Sequence, residues 1–160
     1  MLQVKLIVVG KLKETFHKEE VNEYQKRLSR FVNLSIIEVD EEKIKDGAKK
    51  KEEELILKKE GESLLKQIKL DDYVILLDLH GKEIDSIDFA KKLEDIKTNG
   101  KSSISFVIGG SLGLSDDVRN RANFKLKLSP MTFTHQMTRI IILEQIYRAC
   151  KINANETYHK

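Results

Sequence analysis

A chain of 160 residues is long enough to bury one hydrophobic core without disulfides, so we expect a single domain over residues 1–160. A single cysteine, Cys150, cannot form an internal disulfide. The chain has no apolar run of the roughly 18 residues that a membrane span requires, and we therefore expect a cytoplasmic protein. The formal net charge of +3 is too small for a protein that finds a nucleic acid through phosphate attraction alone.

The first half of the chain alternates between strand and helix patterns. Residues 4–9 are a nearly continuous apolar run, which is typical of a strand covered on both faces, and residues 34–39 are a candidate for a second strand. Residues 11–30, between them, carry apolar side chains at helical intervals and predict a surface helix. Residues 40–54 are dense in Lys and Glu, and a narrow apolar stripe from Leu55 to Ile68 follows, which predicts a second helix with a solvated, charged face.

The same alternation continues after this helix. Residues 73–79 predict a third strand, and Ser86 is the expected N-cap of a helix that runs to about Gly100. Residues 104–108 predict a fourth strand, which stops at Gly109 and its glycine neighbour. Strands and helices that alternate at these lengths predict an α/β fold with a mainly parallel sheet flanked by helices.

The fourth strand leads into a glycine-rich loop with the spacing Gly109-Gly110-x-x-Gly113. This spacing matches neither the dinucleotide-binding fingerprint nor the P-loop, so a phosphate site has little support. Both a tight strand-to-helix turn and a cofactor loop fit the residues, because glycine serves each of them. No cluster of Cys and His has the spacing of a zinc site, and we expect no bound metal.

A short helix, a short strand, a loop and a long helix complete the chain. Residues 116–123 predict a helix with Ser115 as its N-cap, and residues 124–128 alternate as a fifth strand. A loop with the only proline, Pro130, then leads into a helix over residues 135–152. That helix is apolar around more of its circumference than one sheet could cover, so we expect it to pack on the sheet and on a second copy, as a homodimer.

The positive charge is concentrated in this last part of the chain. Residues 115–160 hold eight Lys and Arg against four Asp and Glu, whereas residues 1–114 hold 21 against 22. Arginine suits phosphate because its planar guanidinium donates two hydrogen bonds at once. An RNA- or anion-binding face and an ordinary solvated surface are both consistent with this distribution.

Several collinear motifs resemble one known family. They are Val8-Val9-Gly10-Lys11-Leu12-Lys13, Phe106-Val107-Ile108-Gly109-Gly110-Ser111-x-Gly113, Leu128-Ser129-x-Met131-Thr132-Phe133-x-His135-Gln136, Glu144-Gln145-Ile146-Tyr147-Arg148-Ala149 and the terminal Tyr158-His159-Lys160. In this order they resemble the ribosomal RNA large subunit methyltransferase H family over essentially the whole chain. The resemblance implies a SPOUT-type single domain with a C-terminal trefoil knot, a homodimer, and S-adenosylmethionine as the methyl donor.

The resemblance also implies a substrate and a set of donor-binding residues. The reaction would transfer a methyl group to N3 of a pseudouridine in the stem-loop of 23S rRNA at the ribosomal subunit interface, with the assembled ribosome as the expected partner. The expected donor-binding residues are Leu77, Gly109, Leu128, Ser129, Pro130, Met131, Thr132 and Phe133. A non-catalytic RNA- or ribosome-binding protein with the same fold is the alternative, because the basic C-terminal part would serve it equally well.

Catalytic and substrate-binding candidates come from the last helix and the tail. We expect His159, Tyr158 and Arg139 to be catalytic. We expect Arg148, Lys160 and His135 to bind the substrate, although a histidine beside an apolar helix is also commonly a structural hydrogen-bonding residue. The reaction needs no metal, because the donor already carries an activated methyl group and the enzyme must chiefly position the nucleophile and remove a proton.

Overall fold

Five parallel strands form one sheet in the computed structural model, which describes residues 1–160. The strands are Leu2–Val9 (β1), Val32–Val39 (β2), Tyr73–Lys82 (β3), Ser103–Ile108 (β4) and Phe124–Leu126 (β5). Their order across the sheet is β2-β1-β4-β3-β5, and every neighbouring pair is parallel. All carboxyl ends therefore lie along one edge of the sheet, where parallel α/β sheets bind their ligands.

Five helices cover both faces of this sheet. They are Thr15–Leu28 (α1), Lys50–Leu65 (α2), Ser86–Thr98 (α3), Asp116–Arg121 (α4) and His135–Asn153 (α5). The larger buried cluster joins one face of the sheet to α1, α3 and α5, and a smaller cluster joins the other face to α2 and α4. No helix is both long enough and apolar enough to cross a bilayer.

The alternation of side chains along β1 explains how the sheet supplies two cores. Leu6 and Val8 belong to the larger cluster, whereas Ile7 and Val9 belong to the smaller one, and all four are at most 1% exposed. Successive side chains of a strand point to opposite faces, so an unbroken apolar run is what a doubly covered strand requires. Burial on this scale supplies most of the driving force for folding.

The α/β class and the parallel sheet predicted from the sequence are confirmed, and element ends differ by a few residues. The N-cap of α3 is Asp85, not Ser86: Asp85 Oδ1 accepts a hydrogen bond from Asp88 N at 2.7 Å. Ser86 instead donates to Gln145 of α5. Strand β5 is shorter than expected and ends at Leu126. Leu126 pairs with both Leu77 and Lys82 of β3, because β3 bulges between these two residues and the register shifts there.

Helix α5 lies between α1 and α3 on the sheet, so partners within the chain cover much of its circumference. Ile142, Leu143 and Ile146 are at most 1% exposed, while Met137 in the first turn is 46% exposed. The trefoil knot and the homodimer stay predictions, since the strand order and the packing of one chain do not test them.

A buried ion pair joins β1 to the segment before β3. Lys5 Nζ lies 2.6 Å from Asp72 Oδ2, and their side chains are 15% and 2% exposed. Burial raises the pKa of the Asp72 carboxyl, but hydrogen bonds from Lys5, from the Lys69 amide and from the Ser105 hydroxyl outweigh it and hold the pKa below its usual value.

We expect Asp72→Ala to lower the free energy of unfolding by about 3 kcal/mol, because it leaves the Lys5 ammonium buried without its partner. Because folding lowers the pKa of Asp72, its ionised carboxylate stabilises the fold at pH values above the unfolded-state pKa of about 3.9. This stabilisation is lost as the pH falls through the pKa of the folded state. The difference between wild type and variant should therefore shrink below about pH 4 in urea titrations. Asp95→Ala, which removes an exposed pair with Lys91, is the control and should have little effect. An equal loss in both variants would contradict this account.

Candidate functional site

A cavity of about 460 Å³ opens at the carboxyl edge of the sheet. Three segments supply most of its lining: the end of β3, the glycine loop after β4, and the loop between β5 and α5. Arg119 of α4 and the first turn of α5 complete it. Its volume lies within the range of small-molecule sites, and its lining combines apolar side chains with three glycines and several polar side chains. The cavity therefore suits a ligand of nucleoside size that is bound through apolar contacts and backbone hydrogen bonds.

The glycine loop owes its shape to a close approach of two backbone segments. A Cβ on Gly109 would lie 2.4 Å from the carbonyl oxygen of Gly113 and 2.9 Å from Leu114 Cγ, so no side chain fits at that position. Gly113 N donates to Gly110 O at 3.0 Å and closes the turn. Gly113 has a φ of +88°, a conformation that glycine adopts without strain.

The second loop, residues 127–134, faces the glycine loop and ends in a helix cap. Ser129 Oγ accepts a hydrogen bond from Met131 N at 3.0 Å, and Thr134 Oγ1 accepts one from Met137 N at 3.2 Å as the N-cap of α5. Phe133 is half-buried, whereas Met131 is 75% exposed. The loop is thus fixed at both ends and presents its side chains and backbone to the cavity.

The structure brings seven of the eight predicted donor-binding residues together around the cavity. They are Leu77, Gly109, Leu128, Ser129, Met131, Thr132 and Phe133. Pro130 is exposed and does not line the cavity. His135, predicted to bind the substrate, also lines the cavity from the first turn of α5.

Two charged residues of the cavity were missed by the sequence analysis. Asp78, 7% exposed, accepts a hydrogen bond from His80 N at 3.0 Å, and its Oδ2 lies 3.7 Å from Arg119 Nη1. Asp78 directly follows Leu77 at the end of an apolar strand, and that position was the available signal. Arg119 had no comparable signal, because its distance from Asp78 depends on how α4 packs.

Arg139, predicted to be catalytic, lies outside the cavity lining and is 1% exposed. Its Nη1 lies 2.6 Å from Glu38 Oε2, and its Nη2 donates to Gly10 O at 3.3 Å. The Nε atom is buried without a hydrogen-bond partner. These contacts tie the first turns of α5 to the carboxyl ends of β1 and β2, beside the cavity rather than in it.

The C-terminal tail folds back onto the middle of α5. Tyr158 OH donates to Glu144 Oε1 at 3.2 Å, His159 Nδ1 lies 3.2 Å from Arg148 Nη1, and the rings of Tyr158 and Tyr147 pack edge to face at 4.9 Å. None of the three tail residues lines the cavity. Thr138 is the last residue of α5 that lines the cavity, and Glu144 and Arg148, which hold the tail, follow it by six and ten residues, about 9 and 15 Å along a helix.

The environment of the tail raises the pKa of Tyr158 and occupies one ring nitrogen of His159. Burial, reinforced by the Glu144 carboxylate, raises the pKa of Tyr158 to about 12, so its phenol stays protonated at neutral pH and acts as a hydrogen-bond donor. A guanidinium has no acceptor, so the bond between Arg148 and His159 requires a lone pair on Nδ1 of His159. In this position Nδ1 is occupied and cannot take a proton from a substrate.

Comparison with known proteins decides the family. A family model described as a predicted SPOUT methyltransferase matches residues 2–159. "Ribosomal RNA large subunit methyltransferase H" of Clostridium novyi is 53% identical over 99% of this chain and 100% of the relative, and that of Clostridium acetobutylicum is 52% identical with the same coverage. The chain belongs to the ribosomal RNA large subunit methyltransferase H family.

A solved structure agrees on the fold. A probable methylase family protein from Haemophilus influenzae matches 98% of this chain and 70% of that protein with a TM-score of 0.53. At 12% identity this likeness concerns the fold alone. As a member of the methyltransferase H family, the chain is an rRNA methyltransferase of the SPOUT class, the fold class inferred from its motifs.

SPOUT methyltransferases use S-adenosylmethionine, and the cavity fits such a donor. Gly109, Gly110 and Gly113 line the cavity without side chains, which lets a ligand approach the backbone of the loop. The lining offers apolar side chains for the adenine and backbone groups for its polar edge. Asp78 and Arg119 are of opposite charge, as are the two ends of the amino acid portion of the donor.

Gly109→Ala should weaken binding of S-adenosylmethionine about tenfold, because overpacking against the Gly113 carbonyl costs on the order of 1–3 kcal/mol. Isothermal titration calorimetry measures the change. Gly100→Ala is the matched control: its φ of +94° also disfavours alanine, but Gly100 lies away from this cavity and a Cβ there meets nothing within 4 Å. It should lower thermal stability and leave donor affinity unchanged. Wild-type affinity in Gly109→Ala would contradict this assignment of the cavity.

Proposed function

We propose that this chain transfers the methyl group of S-adenosylmethionine to N3 of a pseudouridine in the subunit-interface stem-loop of 23S rRNA. The observation that carries the proposal is the cavity at the carboxyl edge of the sheet, lined by Leu77, the glycine loop and residues 128–133. Membership of the methyltransferase H family supports this choice of substrate, because the relatives in that family are named for the large-subunit rRNA. The protein would work in the cytoplasm on the assembled ribosome.

Bound S-adenosylmethionine supplies a methyl group that is already activated on a sulfonium. When the donor is bound, the bond from sulfur to the methyl carbon would break as the bond to N3 forms, and the N3 proton would leave to a base. The protein must hold the uracil ring in line with the methyl group and accept that proton. The glycine loop and residues 128–133 hold the donor, and no metal is needed for either task.

We assign orientation of the base to Tyr158 and removal of the N3 proton to His159, whose Nδ1 is free to accept that proton once Arg148 turns from it to an RNA phosphate. Tyr158 is protonated, with a pKa of about 12, and it orients the uracil ring when its hydroxyl turns from Glu144 to a uracil carbonyl. Arg148 and Lys160 contact the RNA phosphates, and His135 contacts the base from the cavity. Arg139 acts as a positioning residue, because it is buried between Glu38 and Gly10.

The tail would act on the cavity of a second copy. Tyr158 and His159 are bound to Glu144 and Arg148, which lie about 9 and 15 Å along α5 beyond Thr138, the last residue of the helix that lines the cavity of their own chain. A homodimer formed across α5 would bring the tail of one protomer beside the cavity of the other, and Met137 in the first turn of α5 offers exposed apolar surface for it. The trefoil knot belongs to the same proposal, with the two cavity loops as its crossing segments.

Deletion of Tyr158, His159 and Lys160 should reduce methylation of ribosomes by about 100-fold or more, because general acid–base groups contribute rate factors of that order. Donor affinity should stay within about twofold of wild type, since the tail does not line the cavity. Transfer of labelled methyl groups to ribosomes from cells that lack the modification measures the rate, and calorimetry measures the affinity. A truncated protein that methylates at the full rate would refute the role of the tail.

Mixing two impaired variants tests whether the tail acts on the partner, provided that the donor concentration is kept well below the dissociation constant of Gly109→Ala, where that variant has little activity. The truncated protein keeps an intact cavity, and Gly109→Ala keeps an intact tail, so a mixed dimer should contain one complete site. We expect the activity of the mixture to exceed that of either variant when the two are unfolded together and refolded. If the mixture is no more active than the two variants alone while size-exclusion chromatography shows mixed dimers, the tail does not act across the dimer.

A further inference from the structure

A buried carboxyl group that the methyl-transfer chemistry does not use lies behind the glycine loop. Glu60 of α2 is 4% exposed, although Lys58 and Lys59 beside it are exposed. No cation lies within ion-pair distance of it. Burial raises the pKa of this carboxyl, and the nearby carboxylates of Glu41 and Glu42 raise it further, whereas a hydrogen bond from the backbone of Glu42 lowers it in part. Burying such a group is costly, so its place in the fold calls for a physical reason.

The two oxygens of Glu60 contact two different segments. Oε2 accepts a hydrogen bond from Glu42 N at 3.0 Å, which ties α2 to the loop after β2. Oε1 lies 3.3 Å from the position that a Cβ on Gly110 would take, and Val9 Cγ1 lies 3.1 Å from the same position. The carboxyl group thus fills the space beside Gly110 on the side of the loop that faces away from the cavity.

The next residue of α2 contacts the other end of the loop. A Cβ on Gly61 would lie 2.4 Å from Ser115 Oγ and 3.4 Å from Val118 Cγ2. Ser115 is the N-cap of α4, and its hydroxyl accepts a hydrogen bond from Val118 N. Consecutive residues of one helix therefore support both ends of residues 110–115, whose opposite side lines the cavity through Gly110 and Gly113.

We propose that Glu60 is a positioning residue for the methyl donor. It holds the glycine loop in place from the side that faces away from the cavity, and the loop in turn positions the donor. The hydrogen bond from Gly113 N to Gly110 O and the close approach of Gly109 to the Gly113 carbonyl both depend on where Gly110 sits. Small displacements of groups that position a ligand have large effects on its binding and reaction. The inference rests on the proposed function, because it assumes that the cavity holds S-adenosylmethionine.

Three variants of α2 separate this role from general stability. Glu60→Ala removes the contacts to Glu42 and Gly110, whereas Glu60→Gln keeps their shape and an oxygen acceptor. Leu64→Val removes one methylene from a neighbouring buried position of the same helix, where the side chain is 1% exposed and packs in the core. Donor affinity is measured by calorimetry, thermal stability by circular dichroism, and exchange of the Gly113 amide by NMR without donor.

We expect Glu60→Ala to bind S-adenosylmethionine about tenfold more weakly and to exchange the Gly113 amide about tenfold faster. Glu60→Gln should bind within about threefold of wild type, and Leu64→Val should lose thermal stability without a change in either readout. Glu60→Asp, which withdraws the carboxyl by one methylene, replaces Glu60→Ala if that variant does not fold, with the same direction of change.

Unchanged affinity and amide exchange in Glu60→Ala would overturn the proposal. It would also be overturned if Leu64→Val weakened donor binding as much as Glu60→Ala does, or if Glu60→Gln bound the donor as weakly as Glu60→Ala. A wild-type protein that did not bind S-adenosylmethionine would refute the proposed function instead. The exchange of the Gly113 amide would then still report whether Glu60 fixes the loop.

Discussion

The close approach of the Gly109 backbone to the Gly113 carbonyl is the constraint on which the candidate site depends. It excludes any side chain at position 109 and folds the chain back on itself directly after a buried strand. The space beside the strand end is thereby left for a ligand. Because β4 pairs with β1 and β3 on either side, the loop has a fixed origin in the middle of the sheet. A central strand gives the loop a rigid base that an edge strand would not give.

The two faces of the sheet contribute differently to this site. The face covered by α1, α3 and α5 holds the larger core and carries the helix on which the tail folds. The face covered by α2 and α4 holds a smaller core, and it supports the glycine loop through Glu60, Gly61 and Ser115. The glycine-loop wall of the cavity thus depends on the smaller core, whereas Leu77 and Leu128 in the other walls pack against the larger one.

The sequence predicted the class of fold and most elements because their causes are local. Apolar runs and helical spacing depend on a few neighbouring residues, and the burial of the strands matches them. The ends of elements were harder to predict, because competing side chains decide them. Asp85 and Ser86 are both good N-caps, and only the position of Gln145 in α5 gives Ser86 a different partner.

Knowledge of the motifs predicted which residues would surround the cavity, but contacts between distant segments could not be read from them. Arg139 lies between two of the motifs and is buried against Glu38, 101 residues earlier in the chain. The Asp78 and Arg119 pair, and the contact of Glu60 with the glycine loop, likewise arise only when separate elements pack. The position of the tail depends on its contacts with Glu144 and Arg148 of α5, which no local pattern records.

Analysis of rRNA from cells with and without this gene tests the central claim most directly. Nucleosides and fragments of 23S rRNA are separated and weighed by mass spectrometry. The account predicts that loss of the gene leaves an unmethylated pseudouridine, one methyl group lighter, in the subunit-interface stem-loop, and that the wild-type gene restores the methyl group. An identical methylated pseudouridine in both strains would contradict it.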